Sequence, residues 1–221
     1  MNISKELKKL ERFDLVSFDV FDTLIVRSVP LPKDIFLLAG QSVLGSLDES
    51  TQFQSARILA ECEARNKSQT GEVSIDEIYS SLEGYPIDVR DNLKEAELRA
   101  EMESCRPREE VVALFNNVKD KGKDIVLISD MYLSSPFIGR MLSKCGIDGM
   151  KGVFVSNELG CDKRSGRLFS EVRKKMSNFK GKQLHYGDSF KADYLGALKA
   201  GIKPRFIFKR NFLRMLWKKI I

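Results

Sequence analysis

With 221 residues, 43% hydrophobic and 31% charged, the chain suits a soluble globular protein: one large α/β domain, or a core domain with a modest insert. No apolar run approaches the ~18 residues of a membrane-spanning helix, and the four widely spaced cysteines (Cys62, Cys105, Cys145, Cys161) argue against a zinc site or disulfide framework and for a reducing cytoplasm. The net charge of +6 is concentrated near the C-terminus.

In chain order, residues 1–10 read as a short amphipathic helix without the apolar block of a secretory signal. Residues 14–19 form the first buried strand, apolar almost throughout as a parallel strand requires. From about 30 to 106 the pattern turns helical, with predicted helices at 34–44, 51–67, 74–82 and 89–105. Ser74 and Glu77 carry the residue types of a capping box. Arg57 and Arg65, eight apart on the second helix, share a face that reads as solvated or as turned toward an anion. After Pro107 helix and strand alternate. Helices are expected at 108–121, 134–145, 166–176 and 188–200, and strands at 124–129, 152–156, 183–186 and 205–208. Gly201 closes the last helix. Repeated β–α units of this length specify a parallel sheet with right-handed crossovers.

Loops at the C-terminal ends of such strands gather in one crevice, and the polar residues fall there. Asp19 and Asp22 follow the first strand, Ser129 and Asp130 the second, Lys163 the third, and Asp188 with Asp193 the fourth. Converging carboxylates repel unless a cation lies between them, and Mg²⁺ prefers one or two carboxylates with a phosphate. This pattern points to metal-assisted phosphoryl transfer. For each residue a plain role competes: a strand-end Asp as turn or helix cap, Ser129 and Thr23 as loop hydroxyls. Lys151 competes with Lys163 but precedes its strand, and His185, inside a strand, reads as structural.

Four sites in this order, Phe18-Asp19-Val20-Phe21-Asp22-Thr23-Leu24, Ser129-Asp130-Met131-Tyr132-Leu133, Lys163 and Gly187-Asp188 with Asp193, resemble the haloacid dehalogenase (HAD) superfamily over nearly the whole chain. The resemblance implies an α/β fold: a Rossmann-like parallel-sheet core (1–27 and 107–221) with an inserted C1-type α-helical cap (28–106). It implies Asp19 as nucleophile, forming an aspartyl-phosphate. Ser129, Lys163, Thr23 and Asp130 would bind the phosphoryl group. Asp19, Asp188, Asp193 and the backbone carbonyl of Phe21 would bind Mg²⁺. The cap implies a small phosphorylated substrate. The motif wording is similar to a bacterial HAD-like group associated with surface-polysaccharide biosynthesis, which suggests a sugar or polyol phosphate.

One position departs from the family's phosphatases. The acid two residues after the nucleophile is Phe21 here, with Asp22 one residue later. An aromatic there is a feature of the metal-independent dehalogenases, which lack the Gly-Asp pair kept here at Gly187-Asp188. The expectation is therefore a Mg²⁺-dependent phosphoric monoester hydrolase or phosphotransferase. The alternatives are a dehalogenase-type hydrolase using Asp19, or a non-catalytic module. The basic tail, Lys203 to Lys219 interleaved with aromatics, reads as a solvated helix, a peripheral membrane contact or a contact to an adjacent domain; nucleic-acid binding is not expected.

Overall fold

The computed structural model describes residues 10–177 and 179–208. The expected N-terminal helix (1–10) and the tail from Lys209 onward therefore lie essentially outside the described residues. Five parallel strands form the central sheet: β1 (Leu15–Phe18), β4 (Asp124–Ser129), β5 (Gly152–Val155), β6 (Gln183–Gly187) and β7 (Lys203–Phe206), in the order β5-β4-β1-β6-β7. All four residues of β1 are buried, because helices cover both faces of the sheet. Side-chain alternation then sorts β1. Val16 and Phe18 join the larger core under α5 (Glu109–Asp120) and α6 (Ser135–Lys144), while Leu15 faces the smaller core under α8 (Arg167–Lys175) and α9 (Gly196–Lys199). Phe18 stacks on Tyr186 of β6 at 5.0 Å between ring centroids, and tilts against Phe115 of α5 at 5.6 Å.

The chain runs outward from β1 to β4 and β5, then returns to β6 on the other side of β1. Strand order reverses beside β1, which opens the crevice at the ends of β1, β4 and β6. Register confirms it: Phe18 lies opposite Leu127 and Tyr186, so Asp19 emerges beside the ends of both neighbours.

Between β1 and α5 a two-stranded antiparallel ribbon, β2 (Ile25–Arg27) with β3 (Cys105–Pro107), brackets four helices: α1 (Asp34–Leu44), α2 (Leu47–Lys67), α3 (Ile75–Ser80) and α4 (Ile87–Ser104). The ribbon is not predicted by the sequence pattern, because three-residue strands show no period to read. The capping box at Ser74 is present. Glu77 accepts from the Ser74 backbone at 2.7 Å, and the Ser74 hydroxyl accepts from the Glu77 N–H at 3.3 Å.

Arg57 corrects the solvated-face reading. It is fully buried in α2, and its guanidinium forms a forked pair with Glu97 of α4 (Nε–Oε2 2.8 Å, Nη2–Oε1 2.9 Å). Phe36, Tyr79 and Tyr132 surround it with ring faces at 4.5, 5.5 and 4.9 Å. Arg65 is one-third exposed and pairs with Glu61. Arg27 turns to the insert: its fork bonds Glu101 at 2.8 Å twice, and its guanidinium lies 4.4 Å over the Phe21 ring.

Candidate active site

Asp19 follows β1 directly, with its N–H donating to the Tyr186 carbonyl (2.8 Å), so β6 fixes its backbone. Lys163 reaches in from the loop after the short helix α7 (Ser156–Leu159), and its ammonium bonds Asp19 Oδ1 at 2.6 Å and Asp193 Oδ1 at 2.5 Å. Asp19, Asp188 and Asp193 each offer an oxygen within 4.8 Å of the others'. All three carboxylates and the lysine are buried. Thr23, also buried, donates its hydroxyl to Asp188 Oδ1 at 3.4 Å, and Ser129 closes β4 nearly without exposure. Asp130 accepts from the Lys163 N–H at 3.0 Å and so holds the lysine's loop. Lys151 is elsewhere, in a surface pair with Asp124.

Neither side chain of the Phe21-Asp22 pair joins the carboxylate cluster. Phe21, whose expected contribution is its backbone carbonyl, packs a half-buried ring beneath Arg27. Asp22 occupies a left-handed turn (φ 60°), its N–H donating to the Ile25 carbonyl and its carbonyl accepting from Arg108, both at 2.8 Å. Its carboxylate is not among the three that converge.

The electrostatics follow from burial. Three carboxylates and one ammonium leave an excess of negative charge where water cannot screen it. Burial, reinforced by Asp193 and Asp188, pushes the Asp19 carboxyl up to about 8 against the pull of Lys163. Asp193 goes the other way: despite burial, Lys163 and His185 hold it well below the usual carboxylate range. Burial disfavours the charged lysine, yet Asp19, Asp193 and Asp130 together hold Lys163 above its ordinary value. Keeping Asp19 ionised at neutral pH therefore asks for one more positive charge in this site. Hard, buried oxygen donors within a few ångströms suit Mg²⁺.

A second layer was not legible as function. His185, fully buried on β6, places Nε2 at 3.2 Å from Asp193 Oδ1 and Nδ1 at 2.9 Å from the Ser17 hydroxyl. Burial lowers its pKa, so a neutral ring with the proton on Nε2 fits both contacts. Gln183 donates to the same Ser17 oxygen at 3.0 Å. The row Ser17, Gln183 and His185 shares one face of the sheet because strand residues two apart point the same way.

The turn that carries Asp193 is a widened π-type helix (Phe190–Leu195), not the plain α-helix expected from 188. Asp193 and Tyr194 both donate their N–H to the Ser189 carbonyl, at 2.9 and 3.1 Å. Two glycines make the approach feasible. A Cβ on Gly187 would overlap Asp193 Cγ, and one on Gly196 would overlap the Lys163 carbonyl oxygen. Gly187→Ala should therefore displace Asp193 and, if the three carboxylates hold Mg²⁺, weaken that affinity at least about tenfold, measured by calorimetric titration on protein whose melting temperature is checked. Unchanged affinity would show that Asp193 does not help hold the cation.

A family model, "haloacid dehalogenase-like hydrolase", matches residues 13–201. No curated protein matches the chain in sequence. Among solved structures the chain is similar to the magnesium-bound HAD-hydrolase YfnB from Bacillus subtilis (TM-score 0.61, 21% identity, covering 94% of this chain and 99% of that one). It is similar to a 2-haloacid dehalogenase from Pseudomonas syringae pv. Tomato (0.61, 19%, 88% and 86%). A HAD phosphatase from Thermococcus onnurineus scores alike (0.61, 17%, 89% and 87%). At these identities the likeness speaks for the fold, while the family match covers most of the chain. The chain belongs to the haloacid dehalogenase-like hydrolases.

Proposed function

We propose that the chain is a Mg²⁺-dependent phosphoric monoester hydrolase or phosphotransferase for a small phosphorylated metabolite, acting through an aspartyl-phosphate on Asp19. The observation that carries this reading is the buried triad Asp19, Asp188 and Asp193, with Lys163 bridging Asp19 and Asp193. Carbon–halogen hydrolysis gives no reason to bury three carboxylates so close together, whereas a divalent cation removes their repulsion. In this reading Asp19, Asp188, Asp193 and the Phe21 carbonyl hold Mg²⁺, which supplies charge neutralisation at the phosphoryl oxygens.

The protein's own groups do the rest. An ionised Asp19 oxygen forms a bond to phosphorus as the bond to the leaving oxygen breaks. Lys163 and the Ser129 hydroxyl orient the phosphoryl oxygens and offset their charge, the dominant contribution in phosphoryl transfer. Thr23 steadies Asp188, and Asp130 steadies the lysine's loop. Water then displaces Asp19 from phosphorus, releasing phosphate and restoring the carboxylate. Position 21, where a proton donor for the leaving group would stand, holds a phenyl ring under Arg27. Asp22 replaces that donor only if its turn shifts, and Ile25 and Arg108 pin the turn. General acid assistance is worth ~10²–10⁴ in rate. Aryl phosphates, whose leaving groups need no proton, should accordingly outpace alkyl phosphates by about that factor.

Phosphate release from an aryl phosphate, then from a panel of sugar and polyol phosphates, tests the reading with and without chelator. Turnover should require Mg²⁺ and fall by roughly 10³ or more in Asp19→Asn. The aromatic Phe21 favours a second reading, dehalogenation. Chelator-insensitive halide release from a 2-haloacid, lost in Asp19→Asn, would replace the first with it. Folded protein inactive in both assays would leave a non-catalytic module.

A further inference from the structure

Four cysteines are spread along the chain, and the fold brings two of them together. Cys105 Sγ lies 3.3 Å from Cys145 Sγ, across 40 positions in sequence, and both thiols are free. Cys105 opens β3 and is buried, its sulfur also 4.0 Å from the Met141 carbonyl oxygen of α6. Cys145 ends α6 and is partly exposed. The backbone fixes its place: its N–H donates to the Leu142 carbonyl at 2.9 Å, and Gly146 turns the chain away with φ 70°. The Lys144 ammonium donates to the Met102 carbonyl at 2.5 Å, a second contact between the end of α6 and the last turn of α4. A small side-chain rotation brings sulfurs so placed to bonding distance.

The other two cysteines set the contrast. Cys161 packs as a small apolar residue in the smaller core, and Cys62 stands exposed on α2. Packing accounts for Cys161, but not for a partly exposed sulfur laid against a buried one. Exposure assigns the roles at the pair. Cys145 meets an oxidant first, while burial pushes the Cys105 thiol up, so that it stays protonated until its neighbour is activated. The position gives the pair a consequence. Cys105 follows α4 directly and lies opposite Arg27 in the ribbon that joins insert to core, and the Ser104 carbonyl accepts from the Ser28 N–H at 2.9 Å. A bond to Cys145 ties this end of the insert to α6, the helix after the loop that begins with Ser129 and Asp130.

We propose that Cys105 and Cys145 form a redox modification site, at which a peroxide joins the two sulfurs and so staples the helical insert to α6 of the core. The Cys145 thiolate attacks one peroxide oxygen and becomes a sulfenic acid as hydroxide leaves. Cys105 then attacks that sulfur; the S–S bond forms, and the hydroxyl departs as water with the Cys105 proton. Two thiols are oxidised while one hydrogen peroxide is reduced to two waters, and a dithiol reverses the bond by exchange. A transient bond of this kind agrees with a chain that carries no disulfide framework. The proposal does not depend on the reaction at Asp19. The test treats the full chain with a small excess of hydrogen peroxide, counts free thiols and maps the linkage by mass spectrometry of its peptides. Free thiols should fall from four to two, with Cys105 linked to Cys145, and dithiothreitol should restore all four. Cys62→Ser should still lose two thiols, whereas Cys145→Ser should form no linkage. Closing this loop should raise the melting temperature by about 5–12 °C over the reduced chain, with no such rise in Cys145→Ser. Circular dichroism checks that the reduced variants are folded. A parent that keeps four thiols overturns the proposal, as does one that crosslinks between chains through Cys62 or carries Cys145 to sulfinic acid without a linkage. A Cys105–Cys145 bond that leaves the melting temperature unchanged overturns the staple.

Discussion

Lys163→Met should leave a protein that is less stable without Mg²⁺, more strongly stabilised by it, and nearly inactive. Lys163 bridges Asp19 and Asp193 at 2.6 and 2.5 Å, and Asp188 lies within the same few ångströms. Removing one partner of a buried pair typically costs about 3–5 kcal/mol, because the remaining charge stays desolvated. Here the remainder is three carboxylates, so part of the cost is relieved by proton uptake, and about 3 kcal/mol is the expected loss. At roughly 2–4 °C per kcal/mol for a chain of this size, the metal-free melting temperature should fall by about 6–12 °C. Saturating Mg²⁺ should restore more stability to the variant than to the parent, since the cation then faces carboxylates with no competing ammonium. Turnover should nonetheless stay down by about 10³, because in the proposed reaction the lysine's charge offsets that of the transferring group. Thermal melts with and without Mg²⁺, beside a turnover assay, separate these effects. A variant that melts like the parent in chelator and keeps turnover within tenfold would remove Lys163 from the centre of the site.

The residues in that test are legible in the amino-acid sequence itself. Asp19, Ser129, Asp130, Lys163, Asp188 and Asp193 each follow a strand recognisable from its apolar run, and the parallel topology brings strand ends together. The sheet and most helices are legible for the same reason, period and punctuation. What stays hidden depends on partners far away in sequence. Ser17 meets His185 across 168 positions, and nothing near either residue announces it. Gly196 reads as an ordinary helix glycine, yet it is where the lysine loop leans on α9. The π-type turn at Phe190–Leu195 is composed of residues that an α-helix accepts equally well, so only the Ser189 carbonyl, shared by two donors, distinguishes it. Arg57 misleads outright. An arginine on a polar helix is usually solvated, and its burial rests on Glu97, forty residues on, together with aromatic rings from three other segments.

That buried pair gives the largest stability effect outside the site. Glu97→Ala should destabilise the protein by about 3 kcal/mol or more, lowering the melting temperature by about 6–12 °C. Arg57 and Glu97 are both completely buried, and the Tyr79 hydroxyl also donates to Glu97 Oε2 at 2.8 Å. Truncation strands the guanidinium, while the Tyr79 hydroxyl keeps the Leu93 carbonyl as acceptor at 3.1 Å. Glu61, at 3.2 Å from Nη1, and the three ring faces keep some compensation, which sets the estimate at the lower end. Replacing both partners by apolar residues of similar volume, Arg57→Met with Glu97→Leu, should recover most of the loss, since an apolar pair incurs no desolvation cost. The double change should nevertheless alter activity more than stability. Tyr132, one wall of the arginine's cage, belongs to the loop that begins with Ser129 and Asp130. Its carbonyl accepts from Ile75 at the start of α3 (3.0 Å) and from Asn157 of α7 (2.7 Å). The helical insert therefore holds the Ser129-to-Tyr132 loop partly through Arg57, and freeing the tyrosine should loosen Ser129. Denaturation midpoints and turnover measured on the single and double variants decide it. Recovery of stability without recovery of rate would show that the buried pair serves the site, and recovery of both would show that it serves packing alone.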